Sequence, residues 1–123
     1  MIVPSRFLKD YRELHKLYND LDDDAPFVAY PLPGFPWVEA IAGAGVFNTG
    51  KSFWAAECLS NWENRKNLVL SEKNPWWEKA VSFLEILVEE AIGRYPVAPI
   101  HMRGASDILA AVRGFSRSLT DLY

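Results

Sequence analysis

The chain has one cysteine, Cys58, among its 123 residues. That excludes an internal disulfide and any cysteine-based zinc cluster within it. Positive charge is also short, with 13 Lys and Arg against 16 Asp and Glu for a net charge of −3. No face can therefore gather the excess that nucleic acid demands. Uncharged apolar runs fall well below the ~20 residues of a membrane span. The opening Met1-Ile2-Val3-Pro4 leads straight into a charged amphipathic segment and has no signal-peptide pattern. A soluble, cytoplasmic protein is the expectation, with no nucleic acid and no membrane among its partners. Apolar residues are plentiful: 50% of the chain is hydrophobic and 14% aromatic, enough to build a core and to argue against disorder. The length allows one domain. There is no internal repeat and no low-complexity tract.

Apolar periodicity organises the chain. Residues 5–21 read as an amphipathic helix, with Phe7, Tyr11, Leu14, Tyr18 and Leu21 on one face and Ser5 as N-cap. Asp22, Asp23 and Asp24 follow, then Pro26. This acidic run reads as a solvated helix end rather than a metal site, since no further ligands are spaced around it. Residues 27–30 look extended and stop at Pro31, Pro33 and Pro36. Residues 37–42 look helical, with Pro36 near the start and Gly43 near the end. Residues 46–57 fit either a β-hairpin or a loop and helix, and residues 61–70 read as a connection. A second strong helix covers residues 75–92, capped by Asn74 and closed by Gly93. Its expected buried stripe is Trp77, Ala80, Val81, Leu84, Leu87, Val88 and Ala91. Residues 95–102 read as a strand covered on both faces, although Pro99 counts against full pairing. Two short helices, 106–113 and 116–123, flank Gly114. The fold class expected is α/β, helix-rich, with about two strands and a small hairpin.

From Gly45 to Ser52 the chain reads G-V-F-N-T-G-K-S, a full match to the phosphate-loop pattern G-x-x-x-x-G-K-[ST]. In a working loop the backbone amides wrap phosphates, the lysine reaches the terminal phosphates and the hydroxyl holds Mg²⁺. Such a loop must follow a buried strand and open a helix. The preceding Pro36-Trp37-Val38-Glu39-Ala40-Ile41-Ala42 reads as helix, and no apolar run ending in Asp follows. Nucleotide binding is therefore the weakest of the functional readings.

Two longer stretches, YPVAPIHMRGASDILAAVRGFSRSLTDLY (95–123) and PWVEAIAGAGVFNTGKSFWAAE (36–57), carry a family resemblance. They resemble the uroporphyrinogen decarboxylase superfamily, and particularly its corrinoid-methyltransferase-like branch. That branch carries an RGPxDIL-like segment, an alanine-rich helix and a following Arg-Gly, and earlier a PWxEAIxGC segment followed by "WAE". The match covers about residues 35–57 and 74–123.

The resemblance implies a (β/α)8 barrel, a fold of ~250 residues. This chain would then be a partial (β/α)8 TIM-barrel-like fragment: an N-terminal helix over 1–25 and the first βα units over 26–123. Full-length relatives would be decarboxylating lyases or methyltransferases acting on a tetrapyrrole, a methylated corrinoid protein or a small methylated compound. The chain by itself would be incomplete and not catalytically competent. No cofactor is expected within it, and zinc or a corrinoid would belong to a complete relative.

The pattern also breaks. The Arg-Gln-Ala-Gly-Arg motif of true decarboxylases is absent, residues 30–37 hold no carboxylate, and Gly43-Ala44 stands where the methyltransferase-like members have Gly-Cys. Porphyrinogen decarboxylation is not expected.

Arg103 and Gly104, at a strand end and before a helix start, form a corner suited to an anion. Alternatively, Arg103 pairs with Asp107 or another acid and only locks the turn. His101, two residues earlier on the same strand, would share its face, although a lone strand histidine is more often a packed one. Asp107 is most simply a first-turn helix carboxylate. Glu39, in an apolar stretch, is a candidate base or ligand contact, and Trp37 stands beside it. Cys58 has no nearby histidine to activate it. The rival to the enzyme-like reading is a non-enzymatic interaction module or degenerate relic. In either case self-association or a companion chain is expected, because open sheet edges and apolar surface need cover.

Overall fold

Leu8–Asp20 forms α1, as the spacing of its apolar residues requires. The structure is a computed structural model describing residues 2–21 and 24–123. A 3-10 turn, Pro4–Phe7, precedes α1. Ser5 lies inside that turn and Val3 stands at the cap position with no side-chain bond, so Ser5 is not the N-cap. At the other end the Leu21 amide donates back to the carbonyls of Leu17 and Tyr18. Asp22 and Asp23, the first two of the acidic run, lie outside the described residues.

Two compact units divide the chain. One comprises Met1–Pro33 with Lys79–Ile100, the other Gly34–Glu78 with His101–Tyr123. The long helix α3, Pro75–Ala91, passes from one unit to the other.

In the first unit, Phe7 and Tyr11 pack their rings on Phe83 of α3, with centroids 5.7 and 6.2 Å away. The rings of His15, Phe27 and Tyr95 pack on one another, with centroids 4.8 to 5.8 Å apart. The buried residues of α3 are Ala80, Leu87 and Ala91, all in the expected stripe, and Phe83, which was not. Trp77, Val81 and Val88 are exposed, because their row lies beside the 80/83/87/91 row and only one can face the core.

The two expected strands, 27–30 and 95–102, reduce to one parallel bridge between Ala29 and Val97. The Ala29 amide donates to Pro96 O at 3.0 Å and the Ala98 amide to Ala29 O at 2.7 Å. Pro26, Pro31, Pro96 and Pro99 each remove a ladder donor, so pairing cannot spread in either direction. No strand ends at His101-Met102-Arg103, and residues 101–104 have no regular structure.

In the second unit, α2 (Trp37–Ile41) is followed by a hairpin. Its strands are β1, Val46–Asn48, and β2, Phe53–Ala55, with Phe47 opposite Trp54. A 3-10 segment, Trp62–Asn67, leads on towards α3. Asn74 caps α3 as expected: its Oδ1 accepts from the Trp76 amide at 2.9 Å. Its Nδ2 donates to the carbonyls of Ala40 and Ile41, which ties the cap to the end of α2. The last helices are α4, Ala105–Arg113, and α5, Phe115–Thr120. Gly114 joins them at φ 89°, and a Cβ there would meet Glu57 Oε2 at 2.7 Å. Ala44, Leu59 and Val112 form one buried cluster, and Phe35, Trp37, Phe53 and Trp76 form an aromatic one. The fold is thus mixed, about half helical, with one two-stranded antiparallel sheet.

Candidate functional site

Glu39 is fully buried on α2, a place where an ionised carboxylate survives only with partners. Arg103 supplies one of them, as its Nη1 donates to Glu39 Oε1 at 2.8 Å. The Arg103 side chain is 41% exposed while that of Glu39 is fully enclosed, so the guanidinium reaches from solvent inward. Glu39 Oε2 is buried and has no hydrogen-bond partner among the described residues.

Gly104, the residue after Arg103, is the N-cap of α4 and offers no side-chain cap. Asp107 in the first turn folds back toward it: a Cβ on Gly104 would lie 3.3 Å from Asp107 Oδ2. A carboxylate in that position is favoured by the helix dipole. Arg103 thus binds Glu39, and Asp107 lies beside the residue that follows it, Gly104.

The other sequence candidates lie differently. Trp37 is buried in the aromatic cluster, its ring centroid 4.5 Å from that of Phe35. His101 is exposed, and the shared strand face expected for His101 and Arg103 is missing with the strand. Burial pushes the Cys58 thiol up, away from the reactive thiolate form.

The phosphate-loop match is a hairpin turn. Its amides are bound internally: Gly50 N–H donates to Asn48 Oδ1 at 2.7 Å, and Lys51 and Ser52 N–H donate to Thr49 Oγ1. The strand Phe53–Ala55 follows where a phosphate loop would open a helix. The amides of Gly50, Lys51 and Ser52, which a phosphate loop would turn to phosphates, are committed to Asn48 and Thr49.

Arg113 was not singled out from sequence. It is 8% exposed, donates to Leu59 O and Ser60 O, and binds both oxygens of Asp121. It also lies 5.0 Å from the Trp62 ring centre. Arg113 holds the Asp121 carboxyl below its usual range. The Arg-Gly pair at 113–114 is therefore structural in this unit. A signal for it was available in Gly114, whose place between two helical patterns marks a backbone crossing.

The first unit contains a groove of about 340 Å³ lined by Tyr11, Tyr18, Phe27, Tyr30 and Pro33 among others. At its edge the Tyr11 hydroxyl donates to Tyr30 O at 2.8 Å and accepts from the Leu32 amide at 3.0 Å. Burial pushes the Tyr11 hydroxyl up to about 12. Leu32 itself has φ 32°, a conformation unusual outside glycine.

No family model, curated protein or solved structure matches the chain. Among the described residues no helix is long and apolar enough to cross a membrane. No three His, Cys, Asp or Glu side chains among them group as metal ligands.

Proposed function

We propose that the chain is a portion of a uroporphyrinogen decarboxylase-like (β/α)8 protein of the methyltransferase-like branch, contributing a ligand-contacting corner made by Glu39, Arg103, Gly104 and Asp107. One observation carries the reading. Glu39 and Arg103 come from the two separate stretches that bear the family resemblance, and they meet as a hydrogen-bonded pair at 2.8 Å. The parallel bridge between Ala29 and Val97 supports it further, since parallel pairing with an intervening helix is the repeating unit of such barrels. The ligand class is a methylated corrinoid or a small methylated compound. Catalysis by this chain alone is not expected. Calorimetric titration with a methylated corrinoid tests the reading. Binding should weaken about tenfold or more in Arg103→Ala, the effect of one charge-assisted hydrogen bond. Equal binding by both proteins, or none by either, would sink it.

A second reading, a self-associating interaction module, is favoured by the exposed apolar side chains of Phe115, Leu119 and Leu122 at the end of the second unit. It predicts assembly without a small ligand.

A further inference from the structure

We propose that the corner around Glu39 takes a protonated amine, whose N–H donates to the free carboxylate oxygen of Glu39. The inference rests on the reading of this corner as ligand-binding and specifies what it binds.

Three observations converge on it. Glu39 is fully enclosed, and only one of its two oxygens is satisfied. Buried carboxylate oxygens left without a donor are strongly disfavoured, so folded proteins seldom retain them without a use. The two oxygens share one carbon, so the unsatisfied Oε2 belongs to the same corner as the Arg103 contact. Arg103 gives one Nη1 donor to Glu39 Oε1 and brings a single positive charge. Asp107 adds a second carboxylate beside Gly104.

An anion placed here would gain Arg103 and the first-turn amides of α4, but it would face two carboxylates. A neutral donor would satisfy Oε2 and leave the corner with one uncompensated negative charge. A protonated amine answers both: its N–H groups are donors only, and its charge offsets the excess carboxylate. Arg103 then acts as a positioning residue that holds the carboxylate so that Oε2 stays turned to the ligand.

The test uses the 123-residue chain with ¹³C-labelled glutamate, titrated with methylammonium chloride and, separately, with sodium acetate, against sodium chloride at equal ionic strength. Methylammonium should shift the Glu39 carboxyl signal saturably while acetate leaves it unmoved. Glu39→Gln should weaken the effect about tenfold or more, read from the backbone amides of Gly104 and Ala105. Asp107→Asn keeps Glu39 in place and should weaken it less, which preserves the test if Glu39→Gln fails to fold. A response to acetate and none to methylammonium overturns the amine assignment and leaves the ligand-binding corner standing. No response to either ion overturns both, and the Glu39–Arg103 pair is then a structural lock.

Discussion

Arg103 pairs with Glu39 across 64 positions of sequence, at 2.8 Å, and not with Asp107 four residues along its own helix start. This locates the energetic coupling of the corner. Removing Arg103 leaves a buried carboxylate without its donor. Arg103→Ala should cost about 1–3 kcal/mol in urea denaturation, less than a fully buried pair because the guanidinium is 41% exposed. Adding Glu39→Gln should recover most of that loss, since it removes the stranded charge. Asp107→Ala combined with Arg103→Ala should be additive. Strong coupling to Asp107 and none to Glu39 in the double-mutant cycle would contradict the observed pairing.

The helices were legible in the sequence, for local reasons. Asn74 and Gly93 bracket α3 by cap chemistry, and Gly114 separates α4 from α5. The strands were not. Apolar runs such as 95–102 look alike whether they pair or merely pass through a core, and here the prolines on both segments decide for one bridge. The hairpin was ambiguous because Asn48-Thr49-Gly50 is turn chemistry embedded in a phosphate-loop pattern. Asn48 and Thr49 capture the amides that the pattern would reserve for phosphate. Glu39 and Arg103 could each be singled out, but their meeting is set by packing between α2 and the segment before α4, which no local spacing encodes.

Gly114 tests the crossing between α4 and α5. Its φ of 89° is strained for any L side chain, and a Cβ would press on the Glu57 carboxylate at 2.7 Å. Gly114→Ala should lose about 1–3 kcal/mol in chemical denaturation. Glu57→Ala in that background should return only part of it, because the clash is relieved and the backbone strain remains. Full recovery would show that strain contributes nothing.

Arg113 and Asp121 give the second unit an acid sensitivity. The guanidinium holds the Asp121 carboxyl low, so the folded value lies below the unfolded one. The stabilisation is present above the unfolded value of about 3.9 and is lost as pH falls through the folded value. Asp121→Asn should lower stability at neutral pH and flatten its decline in acid. Denaturation midpoints between pH 2 and pH 6, on the order of the carboxylate range, measure this. Parallel curves for both proteins would exclude the linkage.

Exposed apolar side chains bear on assembly. Phe115, Leu119 and Leu122 are 69%, 47% and 78% exposed, a patch that a soluble monomer seldom leaves open. Sedimentation equilibrium should show a dimer or larger species, and Phe115→Ser with Leu119→Ser should shift it toward monomer. A monomer across the accessible concentration range would remove the self-associating reading.

Tyr11 provides the alkaline counterpart to Asp121. Its hydroxyl holds Tyr30 and Leu32 together, and burial raises it from 10.0 to about 12. A group whose proton is held more tightly in the folded chain stabilises the fold fully below its unfolded value. That contribution disappears as pH rises through the folded one. Stability should therefore fall between pH 10.0 and about 12 as the ionised phenolate is driven toward water. Tyr11→Phe keeps the ring against Phe83 but loses both hydrogen bonds. It should be less stable near neutrality, by about 1–3 kcal/mol for the buried partners left behind, and its alkaline decline should be shallower. Absorbance of tyrosinate at high pH, followed alongside far-ultraviolet circular dichroism, separates the two processes. If Tyr11 ionises in the ordinary range while the fold persists, the clasp between α1 and the Pro31-Leu32 turn does not hold in solution.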